Sequence, residues 1–463
     1  MATWLPGQGG FAIYATRFVD PALGFAMGYV YWFKYLPNQV NAVALVLQYW
    51  VPADRVNPGV FIAVPLVAVV LLNAFGIRIF GEVEFWFSAA KIVVILGVII
   101  LTLVLAAGGG PNHHATGFQY YRNPGAFAKL APATGALGRF LAFWATMVNA
   151  VFAYMGTELL GVTVGEAKNP RRNIPRAIRL TFWRIGIFYI LSTFLLGLVV
   201  PYNSKRLAFA ANASTSAAAS PFVVAVQLAG IKVLPGLLNG ALLIFCISAS
   251  NTDLYVATRT LHGLAIKGQA PALLAKTSST GVPYYALGVS ALGACISFMN
   301  AGTNSAQVFT YLVDAVSVFG LLTWISILVS HICFVRARRA QGVDDRSVPW
   351  KSPLGLVGSY VALFLCCLIV LTKNFCVFIH GSYENFDYKN FIAGYLGLPI
   401  YLALIFGWKL YHKTERVLPA TADLFTGKDE FDRDEQEWIA YAESRREQRK
   451  MLKWYEKILG YLF

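Results

Sequence analysis

About ten stretches of mostly apolar residues, each near the 20 or so that an α-helix needs to cross a bilayer, run through the sequence. They lie near residues 24–50, 59–76, 91–108, 139–162, 182–201, 231–253, 285–300, 307–334, 355–372 and 391–410. Packing ten such helices inside a water-soluble protein would leave almost no polar surface to face water. Composition agrees: 57% of the 463 residues are hydrophobic and 13% charged, against about 25% charged in an ordinary soluble domain. The fold class is all-α, a polytopic membrane protein. Residues 1–23 read as a cytoplasmic start and loop, 24–410 as the transmembrane domain, and 411–463 as a cytoplasmic tail. The first 20 residues carry Pro6, Gly7, Gly9, Gly10, Arg17 and Asp20 where a cleavable signal would have a basic start and an apolar run. Insertion is expected to use the internal spans.

A formal charge of +15 would suit nucleic acid only if it formed one patch on a soluble face. The basic residues instead sit in short clusters between spans, as they do beside cytoplasmic membrane boundaries, so no nucleic-acid partner is expected. Lys168, Arg171, Arg172, Arg176 and Arg179 follow the fourth span, Arg259, Lys267 and Lys276 the sixth, and Arg336, Arg338, Arg339, Arg346 and Lys351 the eighth. Those connections are placed in the cytoplasm, and both ends of the chain with them. Asn212-Ala213-Ser214, a glycosylation acceptor when it faces the exterior, falls on the opposite side. Cys246, Cys295, Cys333, Cys366, Cys367 and Cys376 lie in or at the ends of spans and read as small apolar core residues. The tail has an acidic run from Lys428 to Glu435, then basic Arg445, Arg446, Arg449, Lys450, Lys453 and Lys457 among Met451, Leu452, Trp454, Tyr455, Ile458 and Leu459. That spacing suits a helix lying on an anionic inner leaflet or a solvated helix that meets cytoplasmic regulators.

Strongly polar groups inside a span are costly and mark function by default. The fourth span holds Phe152-Ala153-Tyr154-Met155-Gly156-Thr157-Glu158, with Asn149 one turn earlier. A helix broken there would present backbone groups to a substrate; the plainer alternative is that Gly156 is a close-packing site and Glu158 pairs with a neighbouring helix. The first span has a polar, proline-broken centre in Lys34, Pro37, Asn38, Gln39 and Asn41. Ser248, Ser250, Asn251, Thr252 and Asp253 end the sixth span, and Asp314, Ser317, Gly320, Thr323 and Ser326 line the eighth; pathway lining and interhelical hydrogen bonding both fit. Phosphate-loop, paired CxxC, HExxH and nucleophile-elbow signatures do not occur, so no enzyme is expected. His113-His114 lacks further ligands at tetrahedral spacing, and neither metal nor cofactor is expected.

Four segments carry a resemblance: Phe18-Val19-Asp20-Pro21-Ala22-Leu23-Gly24-Phe25-Ala26, Glu84-Phe85-Trp86-Phe87, Gly156-Thr157-Glu158 leading to Gly165-Glu166-Ala167-Lys168-Asn169-Pro170-Arg171-Arg172-Asn173-Ile174-Pro175, and Ser248-Ala249-Ser250-Asn251-Thr252-Asp253-Leu254-Tyr255. In order and over nearly the whole chain, they resemble the fungal amino-acid permeases of the amino acid/polyamine/organocation superfamily. The resemblance implies a leucine-transporter-like fold of inverted five-helix repeats within twelve helices, a plasma-membrane location, and amino-acid uptake by symport with protons. The driving force would be the proton gradient. The fourth span corresponds to the family's sixth helix, so Phe152, Tyr154, Gly156, Thr157 and Glu158 would line the substrate pocket with Asn251 and Ser317 on facing helices. Glu158 is the candidate for proton coupling.

The chain departs from the family in two places. Met1-Ala2-Thr3 aligns with an internal Met-Ala-Thr at the end of the family's second helix, so the expectation is an amino-terminally truncated permease with about ten helices in place of twelve. Phe33-Lys34-Tyr35-Leu36-Pro37-Asn38 is a few residues short of the family's third helix, and losing three residues would turn later side chains by about 300°. The 463-residue chain alone is therefore expected not to transport. The alternatives are a non-transporting nutrient sensor or regulatory membrane protein, and a truncated gene fragment. Which amino acids are taken stays open: Phe152 and Tyr154 suggest a partly apolar pocket.

Overall fold

The computed structural model describes all residues except 7–9, 35–37, 52–54, 163, 165–168, 206–219, 302–304, 380–385 and 452–463. Helix follows helix: α1 (Phe11–Phe18), α2 (Pro21–Lys34), α3 (Asn38–Leu47), α4 (Pro58–Ala74), α5 (Ile77–Ala106), α6 (Gly135–Ala145), α7 (Met147–Tyr154), α8 (Pro170–Arg184), α9 (Ser192–Val199), α10 (Pro221–Leu228), α11 (Leu234–Ile266), α12 (Tyr284–Ala294), α13 (Ser305–Ala340), α14 (Gly355–Thr372), α15 (Tyr388–Tyr395), α16 (Gly397–His412) and α17 (Lys428–Met451). No strand occurs among the described residues. Backbone chemistry explains the pattern, because in hydrocarbon only a helix satisfies every amide within its own segment. Pro58, Pro170 and Pro221 begin α4, α8 and α10, where the missing N–H is no loss.

Among the described residues, seven segments are long and apolar enough to cross a bilayer: Ile79–Ala106, Gly135–Gly161, Pro170–Val199, Leu234–Ile266, Thr310–Ala340, Gly355–Thr372 and Tyr388–His412. Two shorter apolar helices, Pro58–Ala74 and Tyr284–Met299, together with α2 and α3 occupy the remaining places where apolar runs stand in the sequence. Large apolar side chains point outward: Phe85 and Trp86 are 65% and 69% exposed, Phe182 and Trp183 69% and 63%. A surface this apolar needs lipid rather than water against it.

The interior is organised around α2. Ala26 and Val30 pack with Val318, Phe319 and Leu322 of α13 and Tyr401 of α16. Glycines set the approach distances, as small residues do between membrane helices. A Cβ on Gly24 would lie 2.7 Å from the Ala12 carbonyl oxygen, and one on Gly28 would lie 2.5 Å from Leu264 Cδ2. The six cysteines form no disulfide. The expectation that they are core residues holds only loosely: five are half-buried and Cys295 is exposed.

Two residues of the tail's acidic run, Asp432 and Glu435, are docked on the body of the protein. Arg171, at the start of α8, holds Asp432, and its Nη1 lies 2.6 Å from Glu435 Oε2; the neighbouring Arg172 guanidinium stands 5.0 Å from the Trp438 ring centre. Trp4 Nε1 donates to the Leu424 carbonyl at 2.9 Å, and Arg17 pairs with Asp423 at 2.8 Å. Trp4, Leu5, Tyr14 and Phe18 thereby close over Ala422 and Leu424 in one apolar cluster. The apolar and basic stretch past Met451 lies outside the described residues.

Candidate functional site

α2 and the turn that follows α7 meet at one ion pair. α7 stops at Tyr154; Met155 is extended (φ −61°, ψ 150°), Gly156 is left-handed (φ 93°), and the chain resumes as a tight 3₁₀ turn over Thr157–Gly161. Glycine is the residue for which that φ carries no steric penalty. Lys34 is the last residue of α2, residues 35–37 lie outside the described residues, and α3 begins at Asn38. Lys34 Nζ donates to Glu158 Oε1. The other carboxylate oxygen accepts the Gly156 backbone N–H at 3.0 Å and Trp324 Nε1–H of α13 at 3.2 Å. Glu158 therefore satisfies an amide that the break in its own helix would leave bare, in surroundings where a bare amide costs several kcal/mol.

The pair is enclosed. Its side chains are 1% and 4% exposed, and Lys34 Nζ lies 5.3 Å from the Tyr31 ring centre. α13 presses on the break: a Cβ on Gly320 would fall 2.3 Å from Met155 Cε. Desolvating two charges is expensive unless further hydrogen bonds complete them, and the Gly156 amide and Trp324 indole do so for Glu158.

A second polar group lies between α5 and α11. Lys91 Nζ is 3.1 Å from Glu84 Oε1 and donates to Ser248 Oγ at 2.5 Å, while Ser248 Oγ donates to Glu84 at 2.7 and 2.8 Å. Asp253, further along α11, feels the charges of Lys34, Glu158, Lys91 and Glu84 together.

The structure distributes the sequence-nominated residues unevenly. Gly156, Thr157 and Glu158 are at the break, and Glu158 is the ionic centre. Phe152 is half-buried on the last turn of α7. Tyr154 stacks on Tyr189, with ring centres 5.3 Å apart. Asn251 is fully buried against α4, where Asn73 Nδ2 donates to its Oδ1 at 3.0 Å. Ser317 is fully buried with its hydroxyl turned back to the Val313 carbonyl at 2.7 Å. Asn212 lies outside the described residues, as do Gly165, Glu166, Ala167 and Lys168.

Lys34 stands out in the sequence as part of the polar centre of the first span, but nothing there pairs it with Glu158, and Trp324, Glu84 and Lys91 are not singled out as site residues. The signals were present. Lys34 and Lys91 are cations in apolar runs, and a cation at membrane depth is a functional hypothesis by default.

Comparison with known proteins gives one family. The family described as "Amino acid permease" matches residues 1–418. The "Dicarboxylic amino acid permease" of Saccharomyces cerevisiae is 48% identical over 472 aligned residues, covering 100% of this chain and 77% of the relative. The "Proline-specific permease" of Emericella nidulans is 37% identical, covering 94% of this chain and 79% of the relative. The "General amino-acid permease GAP1" of Saccharomyces cerevisiae is 34% identical, covering 94% and 72%.

Proposed function

From the premise that the chain belongs to the amino acid permease family, and is thus a multi-pass membrane transporter of amino acids rather than an enzyme, we propose that it takes acidic amino acids into the cell across the plasma membrane, driven by the proton gradient. What supports the substrate class is the 48% identity to a dicarboxylic amino acid permease. The observation that carries the site is Glu158 at the glycine break, a carboxylate beside freed backbone where a substrate's polar groups can be met. Glu158 is the group proposed to carry the proton, since a buried carboxylate exchanges one wherever its cationic partner is diverted. Phe152, Gly156 and Thr157 would line the pocket around it.

The test is uptake of radiolabelled glutamate by cells that lack their own acidic amino-acid uptake and express the protein. Saturable uptake, competed by aspartate but not by lysine and abolished by a protonophore, is the result this proposal expects, and it would overturn the expectation from the sequence that the 463-residue chain alone does not transport. Uptake of neutral or cationic amino acids without glutamate would refute the substrate class. Absence of any uptake, with amino-acid binding retained by the purified protein, would replace import with the sensing alternative.

A further inference from the structure

We propose that Lys34 reads the side-chain carboxylate of an acidic amino-acid substrate, which takes the place of Glu158 against it as Glu158 takes up a proton. This rests on the acidic-substrate reading above and names the residue and the exchange behind it.

Charge counting at the break leads to it. Lys34 and Glu158 form a neutral pair almost wholly out of water. An acidic substrate brings a second carboxylate to that pair, and one cation facing two anions would leave a net negative charge in a low-dielectric interior, which is prohibitive. Among the described residues, Lys34 is the cation that the structure pairs with Glu158. Lys91 is occupied by Ser248 at 2.5 Å and Glu84 at 3.1 Å. Protonating Glu158 restores neutrality: a proton from the external water bonds to a Glu158 oxygen, the Lys34 ammonium passes to the substrate carboxylate, and the site again holds one cation and one anion. Release to the cytoplasm runs the same steps in reverse, with the proton leaving Glu158 as the ammonium returns to it.

The local geometry suits the exchange. Neutral Glu158 keeps a place, because the Gly156 N–H and Trp324 Nε1–H point at the oxygen that Lys34 does not hold, and a carbonyl oxygen accepts them as a carboxylate does. Lys34 keeps its hold on the protein through the Tyr31 ring face, which attracts an ammonium whichever anion completes it. A neutral substrate such as glutamine cannot displace Glu158 and calls for no proton.

The experiment is equilibrium binding of glutamate and glutamine to the purified full chain in lipid nanodiscs at pH 5 and pH 7.5, for wild type, Lys34→Met, Lys34→Arg and Glu158→Gln. Wild type is expected to prefer glutamate at pH 5 and to lose that preference at pH 7.5. Lys34→Met should weaken glutamate about 10- to 100-fold, the scale of a lost charge-assisted hydrogen bond, with glutamine changed much less, and Lys34→Arg should restore part of it. Glu158→Gln, with Lys34 already released, should bind glutamate equally at both pH values. A glutamate-to-glutamine ratio unmoved by Lys34→Met, or a pH dependence retained in Glu158→Gln, overturns the exchange and leaves the acidic-substrate reading intact. Wild type that prefers glutamine or lysine at both pH values overturns that reading and the exchange with it.

Discussion

Removing the partners of the Lys34–Glu158 pair singly and together tests whether it is the charged centre of the fold. With side chains 1% and 4% exposed, deleting one partner strands the other in an apolar interior, which costs about 3–5 kcal/mol. Lys34→Met leaves Glu158 with the Gly156 and Trp324 donors, each worth about 1.5–3 kcal/mol to a charged acceptor; its cost should therefore fall at the lower end, about 3 kcal/mol. Glu158→Gln keeps an acceptor for the same donors and for Lys34, so about 2 kcal/mol is expected. The double variant holds no buried charge and should lose only about 1–2 kcal/mol in all. The coupling energy is then about 3 kcal/mol, well outside the roughly 0.5 kcal/mol scatter of independent sites. Reversible unfolding of the purified protein in mixed micelles, followed by tryptophan fluorescence, reads the three values. Additivity within that scatter would refute the reasoning and make the pair two separately accommodated side chains.

Gly156→Ala meets no steric block, as the nearest atom to a new Cβ is Leu159 Cδ1 at 3.6 Å, but φ is 93° there. A loss of about 1–2 kcal/mol in the same unfolding measurement is expected from backbone strain alone. Gly24→Ala should be far worse, because the atom 2.7 Å from its Cβ is backbone and cannot swing aside; loss of monodisperse protein in gel filtration reports it. Arg171→Ala removes the side chain that holds Asp432 and Glu435 and should speed tryptic cleavage within α17 several-fold, with the membrane domain still resistant. Burial tends to raise the Asp432 carboxyl, but hydrogen bonds from Lys428 and Arg171 prevail and hold it below the usual range. A carboxyl lowered on docking adds stability above its free value of about 4 and loses it as pH falls further, so docking should be unchanged from pH 8 to 5 and weaken only under strong acid. Release of α17 between pH 7 and 5 would contradict this.

Span positions were legible in the sequence because hydropathy needs no partner: each apolar run declares its helix locally. The break at Gly156 was legible for a similar reason, a glycine and a carboxylate side by side in such a run. Partners were not. Lys34 stands 124 residues from Glu158, Trp324 stands 166 from it, and Lys91 stands 157 from Ser248; those pairings arise only from helix packing. Tyr154 is followed by the break at Met155, and its stacking on Tyr189 is a contact between distant segments that the sequence does not show. For Ser317 the sequence fits both pathway lining and interhelical hydrogen bonding, and in the structure its hydroxyl donates to the Val313 carbonyl of its own helix, as a helical serine can. In the tail, the pairing of Arg171 with Asp432 and Glu435, 261 and 264 residues away, is likewise invisible in the sequence.

The exchange of one carboxylate for another at Lys34 is tested most directly by counting protons. Titration calorimetry of glutamate into the purified protein at one pH, in two buffers of different ionisation enthalpy, gives the number taken up on binding. The account predicts about one proton per glutamate, the stoichiometry of a single linked carboxyl, and none per glutamine. Glutamate binding with no proton uptake, or equal uptake with glutamine, would contradict it.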